Sequence, residues 1–171
     1  MYAIDTLDRV KEVHEAPLPD SGASLPFLMS DENRVLLAYM VSESDEAVIS
    51  AVKMMTADSK GYVALVEFTQ PCAHMFGPPN DETFLGHPLA ERGLRPYGVF
   101  EVLDSSWIRQ LEGMNKRHSR RSQNRYGDLR HYIFSFHDST FECIAKTLAV
   151  NLREGSLRDV MFEMLQRVQG P

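Results

Sequence analysis

The stretch RHYIFSFHDSTFECIAKTLA, residues 130–149, decides the fold class, because two runs of alternating apolar and polar residues flank a short polar break. If Phe136 opposes Phe141 across a His137-Asp138-Ser139-Thr140 turn, the side chains sort onto two faces. Tyr132, Phe134, Phe136, Phe141, Cys143 and Ala145 share one face, and His131, Ser135, His137, Thr140, Glu142 and Lys146 the other. Ile133 and Ile144 sit opposite each other on the polar side. Shifting one strand by a single residue would drive Glu142 against the phenylalanines, so the apolar pattern rejects that register.

Outward from this hairpin the chain reads as further short strands with a few helices. Leu25–Met29 and Arg34–Val41 flank the polar Ser-Asp-Glu-Asn turn as a second hairpin. Tyr62–Phe68, opened by a Lys60-Gly61 turn, and Val99–Leu103 complete the strand set. Asp104 or Ser105 caps a helix bearing Trp107, Ile108, Leu111 and Met114, ended by the polar stretch 115–128. Ser156 caps a C-terminal helix in which Leu157, Val160, Met161, Met164, Leu165 and Val168 form one stripe. Ile4, Leu7, Val10 and His14 are spaced for a short N-terminal helix. Segment 43–57 fits helix or strand by periodicity; its strand-like neighbours favour a strand. The expected architecture is mainly β (α+β), one domain over 1–171: an antiparallel sandwich or open barrel with two or three helices at its edge.

Composition narrows the class. A chain of 171 residues buries roughly 70% of its unfolded surface and needs no staple. No apolar leader opens the chain and no apolar run reaches 18 residues, which points to the cytoplasm with Cys72 and Cys143 as reduced thiols. Residues 1–60 carry 11 acidic against 5 basic residues, whereas 61–171 carry 13 of each. An acidic chain is a poor nucleic-acid binder, although KRHSRRSQNR, residues 116–125, is locally basic. It lacks interleaved aromatics for base stacking and reads as a solvated loop.

Three phrases carry a resemblance: GHPLAERGLRPYGVFEV, DSSWIRQLEGMN and LRHYIFSFHDSTFECIA. Across roughly residues 60–149 the chain resembles a family of uncharacterised bacterial proteins. The resemblance implies a bacterial cytoplasmic protein and supplies no catalytic residues.

Function rests on three candidate clusters. The Pro/Gly-rich stretch PCAHMFGPPNDETFLGHPLAERGLRPYG, residues 71–98, is too broken for a long regular element, and loops of that length are often functional. It gathers Asn80, Asp81, Glu82, His87, Glu91, Arg92, Arg95 and Tyr97. The loop 76–98 is expected to present Glu82, His87, Arg92, Arg95 and Tyr97 as contacts to a small anion or a partner protein, without a cofactor. On the hairpin's polar face His137 and Glu142 become diagonal neighbours with Ser135 opposite Glu142, a set suited to acid/base work. The alternative is a hydrolase or lyase in which His87, His137 and Glu142 hold one divalent transition metal that activates water. Cys72, His74 and His87 form a weaker zinc candidate, since C-x-H alone has little specificity.

Overall fold

The computed structural model describes residues 2–42, 56–116 and 126–169. Along the chain come β1 (Arg9–Glu12), β2 (Phe27–Ser30), β3 (Val35–Met40), β4 (Lys60–Thr69) and β5 (Ala73–Gly77). After two 3₁₀ turns, Phe84–Gly86 and Ala90–Arg92, follow β6 (Gly98–Leu103), α1 (Ser106–Asn115), β7 (Arg130–Ser135), β8 (Thr140–Ala145), β9 (Thr147–Ser156) and α2 (Leu157–Gln169). The strands form two antiparallel sheets, ordered β1-β6-β7-β8-β5 and β2-β3-β4-β9. The protein is mainly β, and neither sheet closes into a barrel.

The hairpin β7–β8 keeps the expected faces but not the expected register. Phe134, not Phe136, opposes Phe141; Ile133 opposes Glu142 and Ser135 opposes Thr140. The ladder continues to Phe136, whose N–H donates to Ser139 O at 2.8 Å, leaving a two-residue turn at His137-Asp138. A slip of two residues preserves every face, because side chains alternate with period two. The apolar pattern therefore could not choose between the registers, and the preference for two-residue hairpin loops does.

Three apolar clusters join the layers. Between the sheets, Leu37, Tyr39, Val66 and Phe68 pack on Tyr132, Phe134, Phe136, Phe141 and Cys143. On the outer face of the four-stranded sheet, Leu36, Met40, Val63 and Leu65 receive Leu157, Val160 and Met164 of α2. On the outer face of the five-stranded sheet, Phe100, Val102 and Ile133 are covered by Phe84, Leu89 and Leu94 from the long loop. That loop is thus a packed layer and not a free arm: three apolar side chains spaced along it supply its hydrophobic anchor.

Several local expectations hold and others give way. The β2–β3 hairpin forms, with Ser30 opposite Val35 and the Asp31 carboxylate accepting from the Asn33 and Arg34 N–H groups at 2.7 and 2.8 Å. Ser105 caps α1 by accepting from Ile108 N–H at 3.3 Å. The N-terminal helix does not form. Residues 9–12 instead pair with β6, Val10 opposite Val102, because backbone pairing and the outer apolar cluster together outweigh a weak helical spacing. Lys60 and Gly61 lie within β4, opposite Ser156 and Gly155, and make no turn. Ala73–Gly77, inside the Pro/Gly-rich stretch, is an edge strand on β8. The chain crosses between sheets at Lys146, so Thr147–Ser156 forms a ten-residue strand against β4 instead of prolonging the hairpin. Residues 43–55, most of the segment read as a strand, and 117–125 of the basic stretch lie outside the described residues.

Candidate ligand site at the His137 turn

Two polar clusters flank β7 and β8, one at the hairpin turn and one under the loop. They divide the residues expected to act together. Glu142, level with Ile133, lies four residues along the ladder from His137, about 13 Å at 3.3 Å per residue. The two-residue slip moved Glu142 away from His137 and towards His131. The expected His137–Glu142 pairing, and with it a His87–His137–Glu142 metal set, is therefore split between the clusters.

The first cluster is built around His137 in the tight turn. Its Nδ1 lies 2.9 Å from Asp81 Oδ2 and 2.9 Å from the Tyr97 hydroxyl, and Tyr97 also donates to Asp81 Oδ2. The Tyr97 ring stacks on the imidazole at 6.3 Å between centroids. The Asp81 carboxyl is held below its ordinary range by the Tyr97 hydrogen bond, against a burial penalty, and by His137. Burial and then Asp81 push the Tyr97 hydroxyl up to about 12, so it stays a donor. Backbone contacts fix the cluster: Asp81 N–H donates to His137 O at 2.9 Å, and the Thr140 hydroxyl donates to Pro79 O at 3.0 Å.

With Nδ1 engaged, Nε2 is the open end of the imidazole, 3.9 Å from an Asp138 carboxylate oxygen. His137 lines a cavity of about 320 Å³ together with Gly22–Pro26, Phe76, Asp138 and Ser139. Phe76 is 43% exposed there, an unusual position for a phenylalanine. Ser24 in the same wall is buried, and its hydroxyl has no partner among the described residues. Leu25 and Tyr97 both adopt left-handed backbone angles, φ 42° and 57°, which side-chain-bearing residues adopt at an energetic cost. Leu25 thus lies in the cavity wall, and Tyr97 beside His137.

The second cluster is buried. Glu142 accepts from Tyr2 Oη at 2.7 Å, His131 Nε2 at 2.8 Å and His87 Nε2 at 3.5 Å. The Leu89 N–H donates to His87 Nδ1, which leaves the proton of a neutral His87 on Nε2, facing Glu142. His131 Nδ1 meets Ser105 Oγ at 3.0 Å. Burial alone raises the Glu142 carboxyl, but the bonds from His131, His87 and Tyr2 outweigh it and bring its pKa down to about 2. A Ser-His-Glu chain is present here, yet Ser105, His131 and Glu142 are all buried, and Ser105 already caps α1.

The remaining expected residues serve the fold. Arg92 donates to the Asp5 and Asp8 carbonyls, and Arg95 to Glu12. Ser135 Oγ donates to Arg95 O at 2.7 Å and accepts from Gly98 N–H at 3.0 Å. Glu82 is exposed. His74 sits opposite Cys143 on the inner face of the sheet, while His87 packs against Glu142 on the outer face, so the Cys72–His74–His87 trio does not converge. Among the described residues no three His, Cys, Asp or Glu side chains are placed to share one cation. Sequence reading grouped Asp81 with the loop residues without selecting it, and passed over Tyr2 and Ser24, whose roles depend on contacts spanning more than a hundred positions or on a cavity.

Among the described residues no helix is long and apolar enough to cross a membrane. No family model matches the chain, and no curated protein or solved structure is significantly similar to it.

Proposed function

We propose that the protein is a cytoplasmic, non-enzymatic binding domain whose ligand occupies the cavity beside the His137 turn. The observation that carries this reading is an imidazole fixed at Nδ1 by Asp81 and Tyr97 in the wall of a cavity of about 320 Å³. Cavities of this size suit small ligands, and a few placed polar groups orient them. With Nδ1–H directed at Asp81, Nε2 accepts a hydrogen bond. Phe76 offers an apolar face. The complementary ligand is small and planar and carries an N–H, as a primary amide, a urea or a nitrogen heterocycle does.

A small anion is less well suited to this place than to the loop as first read. Arg92 and Arg95 are committed to Asp5, Asp8 and Glu12, and the carboxylates of Asp81 and Asp138 flank His137. The test is thermal melting of the protein against a set of amides, ureas and nitrogen heterocycles, repeated on His137→Ala. At least one compound should raise the wild-type midpoint by a few degrees through preferential binding to the folded state and leave His137→Ala unmoved. A set that moves neither protein, or moves both equally, would rule the site out.

A further inference from the structure

A carboxylate stands where the interior of a sandwich ordinarily takes an apolar side chain. Glu101 of β6 is directly opposite Tyr132 of β7, so the two share the inner face of the five-stranded sheet. Its neighbours Phe100 and Val102 face the other way, into the outer cluster. The Glu101 side chain is only 13% exposed, yet no N–H or O–H group of the described residues hydrogen-bonds to it. The Arg130 guanidinium, two residues along β7 from Tyr132, stops 3.8 Å away, beyond hydrogen-bond reach. Lys11, directly opposite Glu101 on β1, forms no ion pair with it. Buried polar groups are ordinarily satisfied within the fold, so this carboxylate stands open to donors from outside it.

Glu101 lines a cavity of about 720 Å³, and the topology collects cations around it. Lys11 comes from β1, Arg130 from the start of β7, and Lys146 from the crossover beside Ala145, which is opposite Arg130. Lys11 and Lys146 are exposed and, among the described residues, paired with no carboxylate. Three cations against Glu101 and Asp128 leave the lining net positive, although the chain as a whole carries −6. A cavity of this volume and lining suits a small polar ligand. Two unpaired ammonium groups match a dianion, which a phosphate ester is at neutral pH and a carboxylate is not. The rest of the ligand must donate to Glu101. An ammonium there would meet the charge of Arg130, 3.8 Å from the same carboxylate, whereas hydroxyl groups donate without that repulsion.

We propose that this cleft is a binding site for a small sugar phosphate. Lys11 and Lys146 hold the phosphate, and Glu101 accepts from the sugar hydroxyls, with the exposed Asp128 carboxylate as a second acceptor on the same wall. The cleft is separate from the His137 cavity, and neither reading depends on the other.

The probe is ribose 5-phosphate, with inorganic phosphate as the same anion lacking the sugar, each titrated calorimetrically into the full chain at low ionic strength. Ribose 5-phosphate should bind the wild type about tenfold or more tightly than inorganic phosphate, the hydrogen bonds to Glu101 making the difference. In Glu101→Ala that advantage should shrink to about twofold or less, while inorganic phosphate binds at least as well because a neighbouring negative charge is gone. Lys11→Ala combined with Lys146→Ala should weaken both phosphates about tenfold or more. Equal affinity for the two phosphates in the wild type would mark an anion patch only and overturn the proposal. So would the absence of binding, an advantage that survives Glu101→Ala, or affinities indifferent to the lysines. Should Glu101→Ala fail to fold, the wild-type comparison and the lysine variant still decide, because both lysines are exposed.

Discussion

Glu142 shows at the scale of one residue how a buried charge is kept. Its carboxylate has burial against it and three donors for it, from His131, His87 and Tyr2, and the donors prevail. A carboxyl whose pKa falls on folding, here from an ordinary 4.5 to about 2, adds stability that is complete above the unfolded value and disappears as pH drops through the folded one. Stability should therefore fall between pH 4.5 and about 2 by on the order of 3 kcal/mol, and the melting midpoint should fall with it. Glu142→Gln should lose stability at neutral pH and show a flatter profile across that acid window. An unchanged acid limb in the variant would mean that other carboxylates govern it.

At the scale of elements, the ends are fixed by side-chain hydrogen bonds and the junctions by register. Ser156 and Asp159 form a reciprocal cap on α2: Asp159 N–H donates to Ser156 Oγ, and Ser156 N–H and hydroxyl both donate to Asp159 Oδ2, at 3.2, 3.2 and 2.7 Å. This cap also joins β9 to α2 and so orients Leu157, Val160 and Met164 onto the four-stranded sheet. Ser156→Ala should destabilise the protein by about 1 kcal/mol, measurable by urea unfolding with an unchanged slope. Gly98 marks another junction. A Cβ there would lie 2.5 Å from the Phe100 ring, so only glycine lets β6 begin beside Ser135. The hairpin of β7 and β8 decides most of all at this scale, since its two-residue slip puts His137 in the turn with Asp81 and leaves Glu142 beside His131.

Across the whole molecule the sheets are held by aromatic packing at their shared interior. Phe134 is fully buried and meets Tyr39 and Phe68 of the opposite sheet, each at 5.9 Å between ring centroids, and Phe141 of its own. Phe134→Ala removes the ring where both sheets meet and should cost about 3–5 kcal/mol, enough to consume much of the stability of an ordinary domain. Leu85→Ala serves as the control: that side chain is 91% exposed on the covering loop, and its melting midpoint should not move. A comparable loss in both variants would mean that the loop and the core do not differ as their burial implies. The arrangement also accounts for the loop. Phe84, Leu89 and Leu94 close the outer face of the five-stranded sheet, and that closure carries His87 inward to Glu142 and Asp81 to His137.

Sequence by itself determined the class of fold, the faces of the central hairpin, the cap at Ser156 and most of the apolar stripe of α2, Leu165 being exposed, and it narrowed the cap of α1 to Asp104 or Ser105, because each depends on neighbours within a few residues. It also marked His87, Tyr97, His137 and Glu142 as residues of interest, from their chemistry alone. Only the tertiary structure decided their grouping. Registers two residues apart bury the same faces, so the apolar pattern cannot say whether Glu142 meets His137 or His131. The N-terminal residues Arg9–Glu12 became a strand through contacts made about ninety positions away, where local spacing carries no information. The same holds for the arginines: Arg92 and Arg95 read as free binding groups until the fold placed the Asp5 and Asp8 carbonyls and Glu12 within their reach.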